Sequence, residues 1–293
     1  MMWYLFYKLY TSTIIHDLKF VNSFNTFLFL LSLVLVYINW GLEAKKWQLL
    51  MFSQQKLDFI TSYKSVLAGL VSGLFTPNRL GNFIGRLSYL KSNLHSTGII
   101  NTTLGNMAQF ITTIVFGLIG MLFSLSFIIM PVNIILLISI SVLALFISIW
   151  LFFKPELILK ISIIKKYLPS SILNSINFST TQTSKLKLAV LLFSVLRYFV
   201  FCLQFYLLFL TFGEQTSAYK LLSLIALHYF LTTIIPSPFF GKLFVRESVA
   251  VFVFSLINLK LASILAVVFM LWLINLAIPA ILGSVLWLKV KNV

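Results

Sequence analysis

The stretch SGLFTPNRLGNFIGR, residues 72–86, breaks an apolar run with Thr76-Pro77 and follows it with Arg79, Gly81, Asn82 and Arg86. A hydroxyl residue ahead of proline is a helix-start signal: the hydroxyl caps free N–H groups, and proline lacks the N–H that would go unpaired in the first turn. The stretch therefore predicts a helix mouth. The run before it, YKSVLAGLVSGLFT (63–76), has about 14 residues, whereas a helix needs roughly 20 to cross the hydrocarbon core. A short helix, a break and a second helix start read as a re-entrant or broken helix in a membrane.

Composition agrees. Of 293 residues, 60% are hydrophobic and 10% charged, which exceeds the apolar share of soluble domains and makes lipid the solvent. The fold class expected is all-α, a polytopic helical membrane protein. The net charge of +16 comes from 22 Lys+Arg against 6 Asp+Glu. Because these bases flank apolar runs, they suit anionic headgroups and the positive-inside pattern rather than nucleic acid. Cys202 is the single cysteine, so no disulfide framework is expected and the thiol reads as a packing residue. The first 20 residues lack a small-residue cleavage site, and a retained N-terminus is expected.

Expected spans are 22–42, 99–124, 127–153 with Pro131 near its start, 186–211 with Arg197 in its middle, and 261–288; 218–235 is a second short apolar run. Asn39, Trp40, Glu43, Lys46 and Trp47 read as an interfacial motif with the tryptophans as anchors, and 43–60 as a segment lying along the interface. Within one membrane domain (1–293), a first half (1–153) and a second half (188–293) flank a basic connection (154–187). This connection carries Lys154, Lys160, Lys165, Lys166, Lys185 and Lys187 against Glu156 alone. The positive-inside rule places it, and the C-terminus, in the cytoplasm. The STTQTS tract from Ser179 is the expected linker.

GNFIGR (81–86) has a counterpart in GKLFVR (241–246). In each, Gly is followed five residues later by Arg, and each follows hydroxyl-Pro: Thr76-Pro77 in one, Ser237-Pro238 in the other. Three expected spans separate them, and an odd number of crossings makes the copies face opposite sides, as in transporters with inverted repeats. Each helix mouth would offer N–H groups and a positive dipole end to an anion. Helical spacing puts Arg79, Asn82 and Arg86 on one face, and Lys242 and Arg246 on one face. The expected lipid-phosphate site is thus Thr76, Pro77, Arg79, Gly81, Asn82, Arg86, Arg197, Ser237, Pro238, Gly241, Lys242 and Arg246, with Glu247 as charge partner. Lys56, Lys64, Lys91, Lys220 and Lys260 read as snorkelling bases.

INWGLEAKKWQLL (38–50), TPNRLGNFIGR (76–86) and PSPFFGKLFVRESVAVFVF (236–254) together resemble the lysylphosphatidylglycerol synthase transmembrane region family, also described as flippase-like, and its short bacterial members without a soluble aminoacyltransferase domain. The resemblance spans nearly the whole chain. It implies handling of an aminoacylated, polyprenyl-linked or other anionic lipid in the bacterial cytoplasmic (inner) membrane, and not the synthase reaction. Related chains often carry an acid after the motif glycine in both halves, where this chain has Asn82 and Lys242, and small residues where Phe244 and Glu247 stand. These departures bear on selectivity and mechanism rather than on fold.

Asp17, Glu43, Asp58, Glu156, Glu214 and Glu247 are scattered, as are His16, His95 and His228, and no P-loop or H-x-x-x-H occurs. No enzyme activity, metal or cofactor is expected. A lone membrane His such as His228 is expected to bond a backbone carbonyl. Lipid translocation is the leading expectation; the alternative is a non-transporting membrane subunit that binds lipid or scaffolds a partner lipid-modifying enzyme.

Overall fold

The computed structural model describes residues 24–74, 76, 81–128, 133–156, 169–235 and 241–291. These are α1 (Thr26–Met51), α2 (Phe59–Leu74), α3 (Asn82–Leu87), α4 (His95–Ser124), α5 (Ile134–Phe153), α6 (Ser170–Thr181), α7 (Ser184–Thr211), α8 (Ala218–Ile234), α9 (Gly241–Ser255), α10 (Leu261–Trp272) and α11 (Ile278–Lys291). A 3-10 turn leads into α4, and a π-helical turn, Leu273–Ala277, joins α10 to α11. No strand occurs among the described residues. Among the described residues, five helical runs are long and apolar enough to cross a membrane: Thr26–Met51, Ser92–Ser124, Ile134–Phe153, Ser184–Thr211 and Leu261–Leu288. The chain is an all-α, polytopic membrane protein, as its composition demands.

Several boundaries differ from expectation. The first span runs on to Met51 because Glu43, Ala44, Lys46, Trp47 and Leu50 are all buried there; tertiary burial, invisible to a hydropathy window, extends the helix through a stretch expected to lie along the interface. The third span starts at Ile134 rather than 127, and Pro131 lies outside the described residues. The expected linker is mostly helix: Ser179 is buried in α6, and Gln182 is buried with its Nε2 donating to Asn101 Oδ1 at 3.0 Å. Lys187 sits inside α7, its Nζ donating to the Phe153 carbonyl at 2.8 Å. Lys56, Lys64, Lys91, Lys220 and Lys260 are exposed, as read, with Lys56 over Phe52 and Lys220 over Phe127.

The chain divides into two compact units. The first takes the described residues of Met1–Asn39, Thr113–Ile134 and Phe199–Ile278. In it α9 packs on α8 and α10. A ring stack, Phe205 on Phe209 with Phe254 against both, fills its interior at centroid distances of 4.7–5.4 Å. Asn39, Asn275 and Gln204 form a buried uncharged chain of hydrogen bonds: Asn39 Nδ2 to Asn275 Oδ1, Asn275 Nδ2 to Gln204 Oε1, Gln204 Nε2 to the Ser32 carbonyl.

The second unit takes Trp40–Thr112, Ile135–Tyr198 and Pro279–Val293 where described. Its α2 carries Ser65, Ala68, Gly69 and Ser72 at helical spacing, a stripe narrow enough for α3 to lie directly on its backbone. A Cβ at Gly85 would land on the Ala68 carbonyl, and one at Gly69 would come within 2.9 Å of Arg86 Cγ. Hydroxyls close the seam: Gly85 N–H donates to Ser72 Oγ at 3.0 Å, and Ser65 Oγ donates to the Arg86 carbonyl at 3.3 Å. Outside this packing, α5 leaves Ile135, Leu136, Ile140, Leu143 and Phe146 exposed, the face a lipid-bathed helix presents.

Candidate functional site: a buried cationic centre

Just past the Thr76-Pro77 break a helix is present among the described residues. α3 begins at Asn82 with Gly81 as its N-cap, and Thr76 Oγ1 accepts the Gly81 N–H at 2.7 Å. Pro77 and Arg79 lie outside the described residues. Asn82 Nδ2 reaches Asn106 Oδ1 at 3.3 Å.

What the short α3 accomplishes is the placement of Arg86. With no side chain at Gly69 and Gly85, α3 lies close on α2 and the Arg86 side chain is carried inward, where the residue is 5% exposed. Its Nη2 donates to Glu43 Oε1 at 2.8 Å. Glu43 Oε2 accepts two further cations, Lys46 Nζ and Arg197 Nη1, each at 2.8 Å. Lys46 also donates to the Gly105 carbonyl at 3.1 Å and to Ser194 Oγ at 3.4 Å. Glu43 and Lys46 are one helical turn apart on α1, and Arg197 comes from the middle of α7. All four belong to the second unit.

Trp47 and Trp40, expected as interfacial anchors, are instead 0% and 5% exposed. They serve as aromatic faces for the two arginines: Arg86 lies 5.1 Å from the Trp47 ring centroid and Arg197 5.2 Å from that of Trp40. A desolvated cation over an indole gains roughly 2 kcal/mol. This helps explain how a membrane span accommodates two guanidinium groups.

Among the described residues, one carboxylate faces three cations, so the described side chains bring more positive than negative charge to this buried centre. Its unsatisfied atoms point the same way. Arg86 Nε, Trp40 Nε1 and Trp47 Nε1 are buried donors without an acceptor among the described residues. An unmade buried hydrogen bond costs about 1–3 kcal/mol, more for a charged group, and every such atom of these three residues is a donor. The arrangement suits an acceptor-rich anion.

The other expected residues are placed differently. Arg246, Glu247 and Asn39 belong to the first unit. Gly241 and Lys242 open α9, the Lys242 side chain lies outside the described residues, and so do Ser237 and Pro238. Gly105 and Ser194 were not singled out from the sequence, because nothing local marks a backbone carbonyl or a lone serine as the ligand of a lysine. His228 does not make the expected backbone bond: neither ring nitrogen has a partner among the described residues. Among the described residues no group of His, Cys, Asp and Glu has the make-up of a metal site, and Cys202 is buried and in no disulfide.

Spans of this number and length define a polytopic membrane protein. The chain belongs to the family described as Lysylphosphatidylglycerol synthase TM region, which matches residues 1–283. No curated protein and no solved structure matches it.

Proposed function

We propose that the protein binds the anionic headgroup of a phospholipid or polyprenyl-linked lipid and moves it across the bacterial inner membrane, acting on the lipid's position and not on its bonds. The observation that carries this reading is the gathering of Lys46, Arg86 and Arg197 on the single described carboxylate of Glu43, together with the buried donors Arg86 Nε, Trp40 Nε1 and Trp47 Nε1, which lack an acceptor among the described residues. Charges of this kind are costly within a span and are kept where a substrate or ion uses them. A phosphodiester supplies the missing charge and the acceptors, and Arg is the side chain suited to it. An aminoacylated headgroup would add an ammonium, for which Glu43 is the one acid of the centre.

The translocator reading includes the two-copy organisation. A short apolar helix, a break and a second helix opening at or just after a motif glycine occur as α2–α3 at Gly81 and again as α8–α9 at Gly241. The basic connection 154–187 and the C-terminus are cytoplasmic in this reading. Reconstitution into vesicles with a headgroup-labelled anionic lipid tests it: the protein should speed exchange between leaflets, and Arg86→Ala should slow it. Exchange no faster than in protein-free vesicles, for every anionic lipid tried, refutes translocation. Arg86-dependent binding without exchange supports instead the non-transporting subunit that binds lipid or scaffolds a partner enzyme.

A further inference from the structure

The first unit holds a second cluster that the cationic centre does not use. His228 on α8 is 0% exposed, and neither Nδ1 nor Nε2 has a hydrogen-bond partner among the described residues. Its ring is enclosed by Phe205 at 5.2 Å edge-on, Phe254 at 5.9 Å stacked and Tyr229 at 5.7 Å. On the packed neighbour α9, Glu247 is half-buried, and its Oε2 is buried without a donor. Arg246 lies within electrostatic reach of His228, Tyr229 and Glu247. No salt bridge joins it to a carboxylate among the described residues.

A guanidinium without an ion pair, an imidazole with both nitrogens open and a carboxylate oxygen with no donor make an incomplete site. Withdrawal from water favours the protonated form of a carboxyl group, while a neighbouring guanidinium favours the ionised form. Glu247 experiences both, so its charge and any anion brought to Arg246 compete for the same cation. Among the described side chains, the other ionisable groups near this cluster are Tyr229 on α8 and Cys202 on α7, the latter beside Tyr229. α10 contributes none.

We infer that Arg246, Glu247 and His228 form a proton-linked anion site. Glu247 takes up one proton, becoming a neutral carboxylic acid, and Arg246, no longer opposed by that negative charge, holds an anionic phosphodiester, with neutral His228 offering its N–H. No other bond forms or breaks. This deepens the proposed function, since it rests on the chain binding anionic headgroups and adds that one of its sites couples the headgroup to a proton.

The test is calorimetric titration of the detergent-purified protein with short-chain phosphatidylglycerol, whose phosphodiester keeps its charge across the working range, in buffers of differing ionisation enthalpy. Wild type should take up a proton, up to one per lipid bound at this site, and affinity should rise by as much as about tenfold per unit fall in pH. Glu247→Gln should bind with the wild type's low-pH affinity at every pH and take up no proton, and Arg246→Gln should lose the proton-linked component. Proton uptake absent from wild type, or persisting in Glu247→Gln, overturns the inference. Arg86→Ala separates the two readings: binding unchanged in that variant counts against the cationic centre of the second unit, while proton uptake still decides the role of Glu247.

Discussion

Replacing Glu43 by Gln keeps the shape of the cationic centre and removes the one negative charge among its described residues. Three cations contact that carboxylate at 2.8 Å. At an effective dielectric of about 20, an opposite charge at about 4 Å contributes about 4 kcal/mol of attraction. Three such terms are partly offset by the several kcal/mol that burying a carboxylate costs. Breaking a buried pair by removing one partner costs about 3–5 kcal/mol, so a loss near 5 kcal/mol is expected here, which for a chain of this size lowers Tm by roughly 10 °C. Lys46→Met supplies the contrast: it leaves Glu43 bonded to both arginines and lowers the net charge, so it should destabilise less. The assay is thermal unfolding in zwitterionic detergent followed by tryptophan fluorescence, since Trp40 and Trp47 stack on the two arginines. Added phosphatidylglycerol should raise the Tm of Glu43→Gln more than that of wild type. A Glu43→Gln protein as stable as Lys46→Met, or one insensitive to anionic lipid, refutes the charge argument.

Gly85→Ala should prevent α3 from seating on α2, because the new methyl meets the Ala68 carbonyl; a loss on the order of 4 kcal/mol or failure to fold is expected. Gly105→Ala, whose Cβ would sit 3.5 Å from Lys46 Cε, should be tolerated within about 1 kcal/mol by the same unfolding measurement. Asp58 caps α2, its Oδ2 accepting the Thr61 N–H at 3.1 Å, and this bonding holds its carboxyl below the ordinary value. A lowered folded-state value means that the cap's contribution is present above the unfolded carboxyl range near 4 and is lost as pH falls through the folded value. The protection of amides at the start of α2, measured relative to their intrinsic exchange rates, should therefore fall on acidification, and Asp58→Ala should abolish that pH dependence. In a Cys202→Ser background, Lys185→Cys, at an exposed position, should react with impermeant thiol reagents only from the cytoplasmic side; labelling from outside reverses the orientation.

Membrane residence, the helical class and most span positions were legible in the sequence, because a long apolar run in lipid has little choice but to form a helix that satisfies its own backbone. The break at 76–86 was legible too, since Pro and Gly act locally. Even the i,i+3 spacing of Glu43 and Lys46 and the position of Arg197 within a span could be read directly. What the sequence could not give was the meeting of Glu43 with Arg86 and Arg197, residues separated by 43 and 154 positions. Their meeting depends on α3 lying close enough on α2 for Gly69 and Gly85 to be required, and that distance is a property of two packed surfaces. Trp40 and Trp47 were misplaced at the interface for the same reason: an indole that anchors in headgroups and one that shields a buried arginine have the same hydropathy, and only tertiary structure supplies the guanidinium that tells them apart.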